Sequence, residues 1–112
     1  MKKLLCVCTV LLLVATVAVP VLAQATRTLQ GQVMRSGDQP LSGAIVYLKN
    51  TKTLAVRSFT SDDKGNYRFT SLSPNVDYEV YAAHEGNKSD TKTLSAFDSR
   101  PLATINLKVN NK

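Results

Sequence analysis

Between Arg27 and Val109 the apolar side chains return at every second position, and Gly, Pro, Asn and Asp interrupt the pattern at short intervals. Period two belongs to strands, whose successive side chains point to opposite faces, so the stretch predicts an all-β domain with one buried face per strand. Leu29, Gly31 and Val33 share one face of a first strand, and Gln30, Gln32 and Met34 the other. Residues 35–43 form a loop in which Gly37, Asp38 and Pro40 supply the turn chemistry. Ala44, Val46 and Leu48 then point inward, with Ile45, Tyr47 and Lys49 outward. After a turn at residues 50–53, residues 54–60 make a third strand whose inward face the pattern leaves ambiguous. Asp62-Asp63-Lys64-Gly65 reads as a hairpin connection, because Gly65 tolerates positive φ and the carboxylates accept free backbone N–H groups.

The fourth strand places Tyr67 and Phe69 on one side and Arg68 on the other. Ser73-Pro74-Asn75 turns the chain into a fifth, where Tyr78, Val80 and Ala82 alternate with Glu79, Tyr81 and Ala83. Residues 84–90 are a polar loop, residues 91–97 hold a short strand, and Ala103, Ile105, Leu107 and Val109 mark the inner face of the last. About seven short strands with turns at this spacing predict two packed antiparallel sheets, an all-β sandwich.

The N-terminus has a different character. Met1-Lys2-Lys3 precedes an apolar run over residues 4–19 that only Thr9 and Thr16 interrupt, and Pro20 ends it. This is the pattern of a secretory signal-peptide helix spanning residues 1–23, with cleavage after Ala23 or Ala25 and a folded domain over 27–110. The alternative is an uncleaved anchor, since about 18 apolar residues are enough to cross a bilayer. Cleavage places the domain outside the cell or in the periplasmic or cell-envelope space. Cys6 and Cys8 leave with the leader, so the remaining domain has no thiol for a disulfide, a nucleophile or a metal. Cys6 precedes the apolar core rather than ending it, which argues against lipidation.

Loss of Lys2 and Lys3 takes the formal charge from +6 to +4. The remaining basic residues are scattered and form no run that would track a phosphate backbone, so no nucleic-acid partner is expected. His84 is the sole histidine of the chain, too little for a typical zinc site without neighbouring cysteines or clustered carboxylates. Asp62 and Asp63 beside Gly65 and Asn66 lack the alternating acids and distal glutamate of a calcium loop. No Gly-x-Ser-x-Gly elbow occurs. The reading is therefore a non-enzyme without a cofactor or metal. Asn87-Lys88-Ser89 fits the N-glycosylation acceptor pattern.

Gly31-Gln32-Val33, the stretch from Gly37 through Gly43-Ala44-Ile45-Val46-Tyr47-Leu48, the Thr60 to Phe69 block with Gly65-Asn66-Tyr67-Arg68-Phe69, Leu72-Ser73-Pro74, and Asp77-Tyr78-Glu79-Val80-Tyr81-Ala82 together resemble the carboxypeptidase regulatory-like domain family. The resemblance covers about two thirds of the chain after residue 23. It implies a transthyretin-like, prealbumin-like Greek-key β-sandwich of about seven antiparallel strands and a non-catalytic accessory role. Members of the family are appended to metallocarboxypeptidases, outer-membrane nutrient receptors, adhesins and surface glycan-handling proteins. In related collagen-adhesin repeats a lysine and an asparagine form an isopeptide bond beside a buried acid. Here Glu79 and Asn106 stand at comparable places, but the first strand offers only Arg35, whose guanidinium stays protonated.

Tyr47 and Tyr81 fall on the outward register of the second and fifth strands, which the transthyretin-like order sets side by side. With Lys49 and Glu79 nearby they would form a flat platform for a sugar ring or a partner's side chain. The competing expectation is cross-strand packing that only stabilises the sheet. The expected function is a binding module for an envelope or extracellular protein or a glycan. The alternative is a structural envelope component that assembles by edge-strand pairing.

Overall fold

The computed structural model describes residues 26–98 and 100–110; the expected leader helix and its cleavage sites lie outside them. Within this range the strands are β1 (Arg27–Arg35), β2 (Gln39–Pro40), β3 (Ile45–Asn50), β4 (Val56–Thr60), β5 (Asn66–Leu72), β6 (Tyr78–His84), β7 (Asn87–Lys88), β8 (Lys92–Leu94), β9 (Leu102–Thr104) and β10 (Leu107–Val109). One sheet holds β1, β2, β5, β9 and β10, and the other holds β3, β4, β6, β7 and β8. The two inner faces meet in one core. Leu29, Val33, Tyr67, Phe69, Leu107 and Val109 from the first sheet pack toward Val46, Leu48, Tyr78, Val80, Ala82 and Leu94 from the second. Each such side chain contributes about 1.5–3 kcal/mol by leaving water. The alternation read from the sequence thus assigns these residues to the correct face, apart from Leu94, for which it gives none.

Several connections differ from expectation. Residues 35–43 are not wholly loop: β2 folds back on β1 with Arg35 opposite Gln39 and Met34 opposite Pro40. β7 likewise pairs with the end of β6 through a tight turn at Glu85 and Gly86. The Asp62 turn forms as predicted, yet it joins strands of different sheets, because β4 pairs with β3 and β5 with β1. Turn chemistry is local and does not specify which sheet receives the next strand. A bulge at Ser71, with φ 60°, shifts the β1–β5 register between Leu29 and Arg27. That extra residue turns Leu72 into the core.

The C-terminal segment runs parallel to β1, whereas antiparallel pairing was expected throughout. It is broken into β9 and β10 at Ile105 and Asn106 without a change of register, since Gln30 faces Thr104 and Val33 faces Leu107. The break has a specific cause. Ile105 gives its N–H to Gln30 O at 2.9 Å, but its own carbonyl turns inward and accepts the Tyr67 hydroxyl at 2.6 Å. The Gln32 N–H that a regular parallel ladder would send to that carbonyl goes to Asn106 Oδ1 at 3.0 Å instead. Gly31 makes the space: a Cβ there would lie 1.8 Å from the Ile105 oxygen. Burial pushes the Tyr67 hydroxyl's pKa well up, so it remains a donor across the accessible pH range.

Arg27 is the main departure from the pattern. It is 2% exposed although charged. Its guanidinium donates to the carbonyls of Ser73 at 3.0 Å, Val76 at 2.8 Å, Ser95 at 2.7 Å and Asp98 at 3.2 Å. Four carbonyls from two loops satisfy the planar fork, which makes burial tolerable.

Two carboxylates are held low. Asp62 Oδ1 accepts the N–H groups of Asn66 at 2.8 Å and Lys64 at 2.9 Å, which keep its carboxyl below the ordinary range. The bidentate Arg100 pair, with the Arg100 backbone N–H, pushes Asp98 down to about 2.

Gly31→Ala should lower unfolding free energy by about 2–3 kcal/mol, because the Ile105 carbonyl is backbone and cannot move aside without losing its bond to the Tyr67 hydroxyl. Tyr67→Phe should cost about 1–3 kcal/mol by leaving that carbonyl unpaired; urea denaturation of both variants checks this. The depressed Asp62 and Asp98 values stabilise the fold above about pH 4, where unfolded carboxylates are ionised, and that contribution is lost as pH falls toward 2. The melting temperature should drop over that interval, and Asp62→Asn together with Asp98→Asn should flatten the drop.

Candidate functional site

β3 and β6 are neighbours in the second sheet and run antiparallel, with Tyr47 directly opposite Tyr81 and Lys49 opposite Glu79. All four side chains stand on the outer face, because Val46, Leu48, Val80 and Ala82 occupy the inner positions between them. The structure therefore brings together every residue singled out by register. The Lys49 ammonium lies 3.6 Å from a Glu79 carboxylate oxygen, with both side chains more than two-fifths exposed. In water such a pair contributes little to stability and stays available to a third group.

The tyrosines do not lie flat. Their ring centroids are 5.2 Å apart with planes inclined by 30°. Rings lying side by side in one plane cannot approach this closely, so the two lean face against face across the strands. The Lys88 ammonium sits 5.2 Å from the Tyr81 centroid, closing the sequence Lys88, Tyr81, Tyr47. Cross-strand packing, the competing expectation, thus uses the ring faces. Both tyrosines stay half-exposed beside the Lys49–Glu79 pair. Tyr47, Lys49, Val56, Glu79, Tyr81 and Thr91 line a hollow of about 220 Å³ there.

A larger hollow of about 500 Å³ lies on the outer face of the first sheet, and sequence reading passed over it. Its floor is two polar rows across three strands: Thr104, Gln30 and Arg68 in one, and Asn106, Gln32 and Asn66 in the next. The signal was present as outward polar positions, but any solvated sheet face shows the same alternation. The carboxamides of Gln32 and Asn106 are spent within the fold, on Lys64 O and on the Gln32 N–H. Phe59 is the exposed aromatic at its rim.

The remaining sequence candidates have local structural partners. Asp62 serves its own turn through the two backbone bonds given above. His84 lies 3.9 Å from Glu85 beside the β6–β7 turn. Ser89 of the Asn87-Lys88-Ser89 pattern is buried, its hydroxyl accepting from Ala82 N–H at 2.9 Å and donating to Asp90 O at 2.9 Å. Among the described residues no group of three or more His, Cys, Asp or Glu side chains converges on a common point. Glu79 and Asn106, considered above for an isopeptide, are on different sheets.

Solved structures share this architecture at low identity. The 3-chlorocatechol 1,2-dioxygenase of Rhodococcus opacus 1CP aligns with a TM-score of 0.62 and 12% identity over 80% of this chain and 62% of that one. The major pilin subunit BcpA of Bacillus cereus aligns with a TM-score of 0.63 and 13% identity, over 79% of this chain and 31% of the pilin. The group B streptococcus pilus 2b backbone protein gives 0.59 and 17%, over 77% and 41%. The chain thus spans less than two thirds of each of these proteins, and at such identities the likeness concerns the fold alone. No curated protein matches it by sequence. The model of the carboxypeptidase regulatory-like domain, a regulatory and non-catalytic family, matches residues 28–109, from the second residue of β1 to the last of β10. With its two-sheet sandwich and its signature residues in the core, the chain belongs to the carboxypeptidase regulatory-like domain family.

Proposed function

We propose that this chain is a secreted, non-catalytic binding module of the cell surface or envelope, and that the outer face of its second sheet contacts a protein or a glycan. The observation that carries the reading is the Tyr47–Tyr81 pair. Packing across the strands explains the contact between the rings, but both tyrosines stay half-exposed and line a hollow bordered by an accessible ion pair. Tyrosine in such a position offers apolar edge and a hydrogen-bonding tip together, the combination found in binding hot spots. Lys49 and Glu79 add a donor and an acceptor matched to amide or hydroxyl groups of a partner.

A second reading, a structural component assembling by edge pairing, is favoured by β4. All five of its residues are exposed and it pairs only with β3 among the described strands. Bonds from Ser61 N to Ala44 O and from Asn50 N to Ala55 O set the alternation, so Ser58 directs its backbone groups away from β3 toward the open edge.

Titration of the purified protein against envelope polysaccharides and envelope proteins tests both. Tyr47→Ala and Tyr81→Ala should each weaken binding about tenfold or more. Unchanged affinity with a lowered melting temperature would reduce the pair to sheet packing. Self-association abolished by Ser58→Pro, which removes the outward N–H, would favour the structural reading.

A further inference from the structure

The apolar surface is divided unevenly between the two ends of the sandwich. The end where β1 finishes carries Arg35, Asp38, Asp62, Asp63, Lys64 and Glu85, all exposed. The opposite end, where β1 begins, is built from the β3–β4 loop, the β5–β6 loop, the β8–β9 loop and the first residues of β4 and β9. It carries Phe97 at 96% exposure, Leu54 at 65%, Val56 at 57% and Leu102 at 48%. These are the four most exposed large apolar side chains of the described residues; the next two, Ile45 and Phe59, stand at 39%.

The apolar tips are presented by well-held loops. Around Phe97, Asp98 N–H bonds Ser95 O at 3.0 Å and Phe97 N–H bonds Ser95 Oγ at 3.0 Å. Ala96 N–H bonds Asp77 Oδ1 at 2.6 Å, and the buried Arg27 guanidinium holds the Ser95 and Asp98 carbonyls. Asp77 also fixes the neighbouring loop, its carbonyl accepting from Thr51 N–H at 3.1 Å and from the Thr51 hydroxyl at 2.8 Å. Both tips therefore lean on one residue. Leu54 itself has φ 68°, a left-handed conformation that suits Gly or Asn and strains a branched side chain. Neither packing nor backbone geometry asks for leucine at that position.

The chain supplies a reason for an apolar end here. Seven residues, 20–26, separate the apolar run over 4–19 from Arg27, and fully extended they reach about 25 Å. The chain enters the described fold at the end bearing Phe97, so whenever that run is in a bilayer this end is tethered within about 25 Å of it. Of the two acids at this end, Asp77 is exposed and accepts from Ala96 N–H, and Asp98 is paired with Arg100 at 2.7 Å, while Lys52 and Arg100 supply exposed positive charge.

We infer that this end is a membrane-docking surface: Phe97 and Leu54, with Leu102 behind them, enter the interfacial layer of a lipid bilayer and the sheets stand away from it. Apolar tips on polar loops bind bilayers through the area they bury. The outer face with Tyr47 and Tyr81 then stays free in the aqueous phase.

The chain contains no tryptophan, so one introduced residue reports alone. The protein is expressed from the full sequence, purified with the N-terminus the cell leaves on it, and mixed with phosphatidylcholine vesicles carrying brominated acyl chains. Phe97→Trp emission should shift to the blue and be quenched, while Tyr81→Trp emission should do neither. Leu54→Ser combined with Phe97→Ser should lower vesicle partitioning about tenfold or more where residues 4–19 have been removed. Quenching remains decisive where those residues are retained and hold the protein to the vesicle. Phe97→Trp emission that keeps its aqueous wavelength and escapes bromine overturns the inference. So does a blue shift that needs no vesicles and follows protein concentration, which would assign this end to a second copy, or one that requires added envelope protein.

Discussion

One backbone carbonyl, that of Ile105, organises the first sheet. β1 must pair on both sides along its whole length, with β5 and β2 on one side and β9 and β10 on the other. A straight parallel partner would leave the Tyr67 hydroxyl buried with nothing to bond. Turning the Ile105 carbonyl inward over Gly31 satisfies that hydroxyl, and Asn106 repairs the ladder bond lost at Gln32. Three side-chain identities therefore depend on one another: a missing Cβ at 31, a phenol at 67 and a carboxamide at 106. At the start of the same strand Arg27 performs a comparable service for the loops, converting four otherwise loose carbonyls into one fixed end.

Much of this was legible from residues alone. Period-two alternation assigned the inner faces of β1, β3, β5 and β6 correctly, because each has one face in a core and the other in water. The Tyr47–Tyr81 and Lys49–Glu79 juxtapositions followed from register once the strand order was granted. Three features escaped for physical reasons. The parallel direction of β9 and β10 is set by long-range closure on β1 and leaves no local trace in a short strand. Arg27 reads as the polar edge of a strand, since burial of a guanidinium depends on carbonyls from residues 73–98 that only the fold assembles. The mutual tilt of the tyrosines depends on ring geometry, which alternation does not describe, so the flat platform expected from register becomes a stacked, half-exposed pair.

The family signature accordingly separates from the surfaces available for function. Gly31, Ala44, Val46, Leu48, Gly65, Tyr67 and Phe69 are accounted for by the core, by turns and by the Ile105 contact. What remains is distributed over the outside: the Tyr47–Tyr81 pair on the second sheet, and an apolar end facing the direction from which the chain arrives. On the function proposed above, such a module would keep its binding face and its fold on different atoms, so that partner choice could change without repacking the sandwich.

The four tyrosines make that separation measurable, since Tyr67 and Tyr78 are buried and Tyr47 and Tyr81 are half-exposed. Ring proton resonances of all four, followed by NMR while an envelope fraction that binds the protein is titrated in, test it most directly. Separation of fold and binding face predicts that the Tyr47 and Tyr81 signals move with saturation while those of Tyr67 and Tyr78 stay in place. Movement of the buried pair, or saturation with all four unchanged, would contradict it.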